Sequence, residues 1–311
     1  MSTLEAWKKM REVCIVGVGM HKFGRWPDKS VGAMGREAIL AALDDAGADF
    51  KDIEAAFSGR VQNVTGTGLE VVGELGQPGI LIDNVEKACA SSSTAVRMAT
   101  WVVGAGLYDV VLCVGVEKMA RGLLGGVASP SQASYSALMG MDIMPGVYAM
   151  RTMRHMKQYG SKREHFAQVS VKSHRNAVLN PYAQYQQAVT LEEVLNSRMI
   201  CDPLTLYMCS PTTDGATACI VCAGSVAKRF HGKPVTIAGW SSGTPEYSAE
   251  GVGGDVAEGF IARLAKEAYE RAGVGPKDVK VTQVHDAFSP GEVFAAEELG
   301  FCDIGEGGQY I

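Results

Sequence analysis

The chain has 311 residues, 47% of them apolar and 20% charged, with a formal net charge of −5. That is ordinary globular composition, enough for a substantial core and two structural units. The acidic balance and the lack of a long basic tract argue against a nucleic-acid partner, and no uncharged apolar run approaches the ~18 residues of a membrane span. Lys8, Lys9 and Arg11 precede an apolar run, but that run is short and glycine-bearing and no small-residue cleavage site follows. The chain therefore reads as cytoplasmic.

The first elements alternate. Val13–Gly19 reads as a buried strand, Val31–Ala46 as a helix stopped by Gly47, and Ile53–Ser58 and Ile82–Ala88 as short strands. Ser91–Val103 reads as a helix of small residues, and Val110–Val116 as a strand buried on both faces. Such alternation predicts an α/β fold with a largely parallel sheet covered by helices. From about Ala120 to Thr205 the character changes. A stretch rich in glycine, serine and methionine leads into helical segments such as Arg163–Leu179, which reads as an insertion. Ala216–Ala223 then returns to a buried strand.

One unit occurs twice. Ala46–Gly47 matches Ala272–Gly273, and Lys51–Asp52–Ile53 matches Lys277–Asp278–Val279, at one constant offset. Val13–Gly19 likewise matches the strand that begins at Val235. The expected organisation is a first half over residues 1–119, an inserted domain over 120–205, the last strand of the first half within 206–230, and a second half over 231–311. The second copy reaches a helix at Gly291–Leu299, and the position corresponding to Cys89 falls beyond Ile311. On this reading the second half is incomplete.

Cys89 lies where a strand gives way to the helix of small residues. The start of a helix carries unpaired N–H groups and the positive end of its dipole, which favour a thiolate. Ala90, Ser91, Ser92 and Ser93 leave room for close backbone approach and N–H groups for a developing oxyanion. A nucleophile and a buried structural cysteine both fit this position alone.

Other patterns are weaker. Cys219 and Cys222 form a CxxC inside a buried-strand pattern with no second ligand pair nearby, a poor zinc or redox site. Gly239–Gly243 satisfies G-x-S-x-G around Ser241, but no helix starts promptly after it. Gly17–Gly24 hints at a dinucleotide loop, but Pro27 falls where the phosphate-binding helix should begin. The methionines from Met139 to Met156 read as adaptable apolar lining, here of an acyl pocket. His21, His155, His165, His174 and His231 lack ligand spacing and read as structural or exposed.

"VEKACASSSTAV" (Val85–Val96), followed by "GVEKMA" (Gly115–Ala120), resembles the nucleophile segment of the thiolase superfamily. "PLTLYMCSPTTDGATACIV" resembles the segment that closes that family's loop domain. "VKSHRNAVLNPYAQY" and "VHDAFSPGEVFAAEELGFCDIGEGG" are similar to the sterol-carrier-protein-x type and its bacterial and archaeal acetyl-CoA acetyltransferase-like relatives. The resemblance covers nearly the whole chain. It implies the thiolase fold, two βαβαβαββ halves in a five-layered αβαβα core with an inserted loop domain, the second half here truncated.

It also implies a function: acyl transfer, with Cys89 acylated by an acyl-CoA and a β-ketoacyl-CoA cleaved with CoA, or the reverse Claisen condensation. His285, in His-Asp-Ala-Phe, stands where many members have the Asn of Asn-Glu-Ala-Phe. It would hold the thioester oxygen directly or through a water. Ser210 matches a serine lining the pantetheine path. Gly115 and Glu117 match family positions without assigned chemistry. The Gly-His-Pro base segment does not occur in the 311 residues, and no Cys-x-Gly segment occurs in the second half, residues 231–311, where the resemblance would place it. No metal or redox cofactor is implied, and CoA is a substrate. Implied partners are a second copy in a homodimer and a small subunit combining an OB fold with a zinc ribbon. Benzoylsuccinyl-CoA-type thiolases offer one candidate substrate class. Two alternatives remain: a lipid-transfer-protein-type retro-aldolase acting on a β-hydroxyacyl-CoA, and a non-catalytic acyl-CoA-binding subunit.

Overall fold

The computed structural model describes residues 7–62, 65–76, 78–119, 143–244 and 259–311. The chain divides into two compact units. The first comprises Met1–Ala120, Tyr182–Gln184 and Thr212–Trp240; the second comprises Arg121–Pro181, Tyr185–Pro211 and Ser241–Ile311.

The first unit contains β1 (Val13–Gly24), α1 (Val31–Ala46), β2 (Ala55–Gly59), α2 (Thr67–Gly73), β3 (Leu81–Val85), α3 (Ser91–Gly104), β4 (Val110–Lys118), β7 (Asp214–Ala223) and β8 (Val235–Thr236). Its six strands form one sheet in the order β3-β2-β4-β7-β1-β8. The expected parallel sheet is mixed. β2 is parallel to β3 and to β4, whereas β7 runs antiparallel to both β4 and β1, and β8 antiparallel to β1. Strands buried on both faces read as apolar runs whichever way their neighbours point, so hydrophobicity marked the strands and not their direction. β8, the opening strand of the second copy in the repeat, pairs with β1 through Cys14 and Thr236. β1 continues through Gly17–Gly24, so the glycines that hinted at a dinucleotide loop are strand residues.

Helices cover both faces. On one, α1 buries Met34, Ala38, Ile39 and Ala42 against Val16, Leu112 and Ile220. On the other, α3 buries Ala95, Ala99 and Val103 against Phe57, Val111 and Val221. The end of α1 shows why its sequence stops there. Gly47 adopts φ 62°, and a Cβ on it would sit 2.3 Å from the His231 ring. Only glycine meets both demands cheaply.

His21 is buried on β1, with Lys29 Nζ 3.1 Å and Glu37 Oε2 3.5 Å from its Nε2 and Trp26 edge-on to its ring. Burial, then the Lys29 charge, push its pKa below the usual value, against a smaller opposing pull from Glu37. A depressed histidine leaves stability intact above its unfolded pKa of about 6.5, and stability is lost as pH falls below that towards the folded value. We expect His21→Gln to flatten this acid limb, read as a smaller drop in urea midpoint between pH 7.5 and pH 5 than in the parent.

The second unit contains α4 (Met144–Tyr159), α5 (Arg163–Ala177), α6 (Leu191–Asn196), the two-stranded β5 (Met199–Cys201) and β6 (Leu204–Thr205), α7 (Phe260–Ala272), α8 (Pro290–Glu298) and α9 (Gly307–Tyr310). The repeat is visible locally. Like α1, α7 ends on a left-handed glycine, Gly273 at φ 69°, and each helix is followed by a 3-10 turn, Phe50–Asp52 or Pro276–Asp278. His155 and Glu297 are both buried, with His155 Nε2 3.0 Å from Glu297 Oε1 among Phe166, Phe294 and Tyr159. Glu297 also accepts from Gly307 N at 2.8 Å, so one carboxylate ties α4, α8 and α9 together. Met139 and Met141 lie outside the described residues, while Met144, Met150 and Met153 are exposed on α4 and Met156 packs against Phe166 and Phe294. No helix among the described residues is long and apolar enough to cross a membrane.

Candidate active site

β3 ends at Val85, three residues before the strand boundary expected from its apolar run. The chain leaves the ladder to make a tight turn. Glu86 Oε1 accepts from Ala88 N at 2.7 Å, and Ala90 N donates to Lys87 O at 3.0 Å. Ala88 adopts φ 46°, the one non-glycine residue with positive φ among those described. A Cβ in that region costs on the order of 1–2 kcal/mol, so the surroundings must hold the turn in place. Ser91 does so from both sides: its Oγ accepts from Lys87 N at 2.8 Å and donates to Ala88 O at 2.7 Å.

Cys89 follows Ala88 and is exposed. The N-cap of α3, Ala90, offers no side-chain oxygen, so the first turn has no side-chain cap. That turn is seated on the strand ends. A Cβ on Gly59, the last residue of β2, would lie 2.7 Å from Ser92 N, and one on Gly115 of β4 would lie 2.1 Å from Ser92 Oγ. The two glycines thus let the start of α3 rest directly on the carboxyl ends of β2 and β4. Beside them, Glu117 Oε2 accepts from Val61 N at 2.7 Å, and buried Asp214 accepts from Trp26 N at 2.9 Å and Met119 N at 3.1 Å. Both carboxylates fix loops at this edge of the sheet.

The second unit brings Ser210 and His285 into one neighbourhood. Ser210 N donates to Ala287 O at 3.0 Å, Ser289 N donates to Met208 O at 2.9 Å, and Cys209 bridges Phe288. This short antiparallel pairing is anchored by Phe288, buried against Tyr148 at 4.7 Å between ring centres. Ser210 and His285 themselves are exposed. Burial first, then Glu292, raises the carboxyl of Asp286, the residue after His285. Cys89 belongs to the other unit.

Ala88, the Ser91 staple and the Gly59–Ser92 approach escaped the sequence reading. Of these, only the approach of Ser92 had a sequence signal, the paired glycines Gly59 and Gly115 of β2 and β4. The rival motifs dissolve on inspection. Ser241 donates its hydroxyl to Glu267 at 2.8 Å. Cys219 and Cys222 point to opposite faces of β7, beside Cys113 and Cys14 respectively, so they cannot share one metal ion.

The thiolase N-terminal domain profile matches residues 13–225, and the thiolase C-terminal domain-like profile matches residues 254–311. The chain belongs to the thiolase family. Among curated thiolase relatives, an acetyl-CoA acetyltransferase of Methanothermobacter thermautotrophicus is 36% identical over 307 residues, spanning 96% of this chain and 80% of the relative. Benzoylsuccinyl-CoA thiolase subunit BbsB of Thauera aromatica is 36% identical over 310 residues, spanning 98% and 79%. Among solved structures, an Ltp2-ChsH2(DUF35) aldolase superposes with a TM-score of 0.83 at 26% identity, covering 96% of this chain and 79% of that one. Human mitochondrial 3-ketoacyl-CoA thiolase superposes at 0.72 with 17% identity, covering 95% and 85%, and has the same thiolase fold.

The cysteines of this thiolase-family chain differ in environment. Burial pushes Cys209 and Cys302 up to about 11 and Cys222 up to about 12. Thiolate is the reactive form, so at pH 8 a thiol with a pKa near 11 is about 0.1% ionised. Iodoacetamide at pH 8 is expected to label exposed Cys89 well ahead of these three, and the Cys209 rate is expected to climb about tenfold per pH unit between 8 and 10. Time-resolved peptide mass mapping checks both.

Proposed function

We propose that the protein is an acyl-CoA thiolase in which the Cys89 sulfur carries the acyl group. The supporting observation is the turn itself: an exposed cysteine, held by a strained Ala88 and a Ser91 staple, before a helix whose first turn has no side-chain cap. The Cys89 thiolate attacks the β-carbonyl of a β-ketoacyl-CoA. The Cα–Cβ bond breaks, and the acyl group stays on sulfur. The enolate of the departing thioester takes up at Cα the proton that the Cys89 thiol gave up, leaving as a shortened acyl-CoA. His285 hydrogen-bonds the thioester oxygen as it gains charge. The stretch around Ser210 lines the pantetheine path. CoA then accepts the acyl group as the second substrate, in a ping-pong cycle with no resident metal or redox cofactor. Condensation is the same path in reverse.

This reading extends to assembly and location. β3 is an edge strand with exposed residues, including Leu81 at 43%, and in a homodimer it pairs with its counterpart in a second copy. The DUF35 component of the aldolase neighbour supports a small OB-fold and zinc-ribbon accessory subunit. The location is the cytoplasm.

A second reading, retro-aldol cleavage of a β-hydroxyacyl-CoA without acylation of Cys89, is favoured by the 0.83 superposition on an aldolase. Incubation with a β-ketoacyl-CoA, followed by intact mass and peptide mapping, separates them. An acyl adduct on Cys89 that CoA discharges supports the thiolase. Aldehyde release from a β-hydroxyacyl-CoA with unmodified Cys89 supports the aldolase. Binding of CoA esters with neither reaction identifies a non-catalytic subunit.

A further inference from the structure

Cys219 and Cys222 remain unexplained by acyl transfer. On β7 they stand on opposite faces, each with a cysteine directly across the ladder: Cys219 opposite Cys113 of β4, and Cys222 opposite Cys14 of β1. Residues directly opposite on antiparallel strands have Cα atoms about 4.5–5.5 Å apart, inside the window a disulfide needs. Their Cβ atoms lie slightly wider than a relaxed disulfide prefers, which makes such a bond readily reducible. We propose that Cys113 and Cys219 are an oxidation site that closes to a reversible cross-strand disulfide on the sheet face under α3.

The two pairs differ. Cys14 and Cys222 are sealed in the core beneath α1, and burial pushes the Cys222 thiol up to about 12, so it supplies almost no thiolate. Cys113 is buried, but Cys219 is only half-buried. The two sulfurs face each other across the ladder, and their interaction raises the Cys113 thiol and lowers that of Cys219. Cys219 is therefore the attacking sulfur and Cys113 the resolving one.

The oxidant is a hydroperoxide. The Cys219 thiolate attacks one peroxide oxygen, the O–O bond breaks, and the leaving hydroxide takes a proton as water. Cys219 becomes a sulfenic acid. Cys113 loses its proton, its sulfur attacks that of Cys219, and the S–O bond breaks to release a second water. Two thiols lose two electrons, and one hydrogen peroxide becomes two waters.

The location gives the bond a consequence. Cys113 and Gly115 share a face of β4, and Thr217 and Cys219 share that face of β7. Ser92, in the first turn of α3, rests on Gly115, where an added Cβ would lie 2.1 Å from its Oγ and 3.7 Å from Thr217 Oγ1. Drawing Cys113 towards Cys219 shifts the seat of the helix that follows Cys89.

The test is made on the protein and on Cys89→Ala, so that no oxidised Cys89 relays the reaction. Each is exposed to a small excess of hydrogen peroxide, freed of peroxide, and unfolded in denaturant containing N-ethylmaleimide so that every remaining thiol is alkylated. Each is then digested without reductant and mapped by mass spectrometry. The expected product is a Cys113–Cys219 linked peptide in both proteins, absent after dithiothreitol, with Cys14 and Cys222 alkylated. In Cys113→Ser, Cys219 is expected to stop at a sulfenic acid that dimedone traps. The proposal is overturned if Cys113 and Cys219 are both alkylated at a peroxide dose that consumes Cys89. It is equally overturned if Cys14–Cys222 links as fast, because the difference between the pairs would then be void. Neither readout depends on the reaction that Cys89 performs.

Discussion

Replacing Cys89 with alanine is expected to lower acyl transfer by at least about 10⁴-fold while leaving stability within about 0.5 kcal/mol. The separation is informative because Cys89 is exposed and contributes nothing to either core cluster. Denaturant midpoints should coincide for the two proteins, and the acyl adduct seen by intact mass should vanish. A variant that keeps most of its turnover would remove Cys89 from the chemistry and transfer weight to the aldolase reading. His285→Ala should behave differently. It removes one oxyanion donor, a loss of about 10²–10³-fold, and leaves the acyl adduct detectable at longer times.

Gly59→Ala is expected to damage the site without touching a reacting residue. Its new Cβ would meet Ser92 N at 2.7 Å and Ser92 Cα at 2.8 Å, both backbone atoms. β2 lies between β3 and β4 and is buried along its whole length, so the strand cannot retreat. The first turn of α3 must move instead. Overpacking of this kind costs about 1–3 kcal/mol, and displacing a reacting group by about 1 Å costs on the order of 10² in rate. Thermal unfolding and steady-state turnover, measured side by side, should both fall. Gly73→Ala is the control, because a Cβ there meets nothing within 4 Å. Equal behaviour of the two variants would mean that the seat of α3 does not matter.

How much of this was legible beforehand follows from the range of each interaction. The span of α1 was readable because its apolar spacing and Gly47 are local, and β4 because an unbroken apolar run has few other uses. Strand direction was not, since β7 is buried on both sides like any central strand. The same holds at the site. Cys89, His285 and Ser210 stood out by residue type and resemblance. The left-handed turn at Ala88 leaves no mark on the residue that adopts it, and the contact between Gly59 and Ser92 joins residues far apart in sequence. The pairing of Ser210 with Ala287 is a backbone event that no side-chain pattern encodes.

Strand β7 sits between β1 and β4 in the finished sheet, with Ala223 opposite Val13. A ribosome has therefore released both neighbours long before their shared partner is synthesised. Until then each presents an open, apolar edge to the cell, and closing the gap means joining segments separated by most of the first unit's length. Such high contact order slows folding and prolongs exposure to misassembly. The nascent chain should thus be a strong chaperone client up to the moment residue 223 emerges, and a much weaker one afterwards.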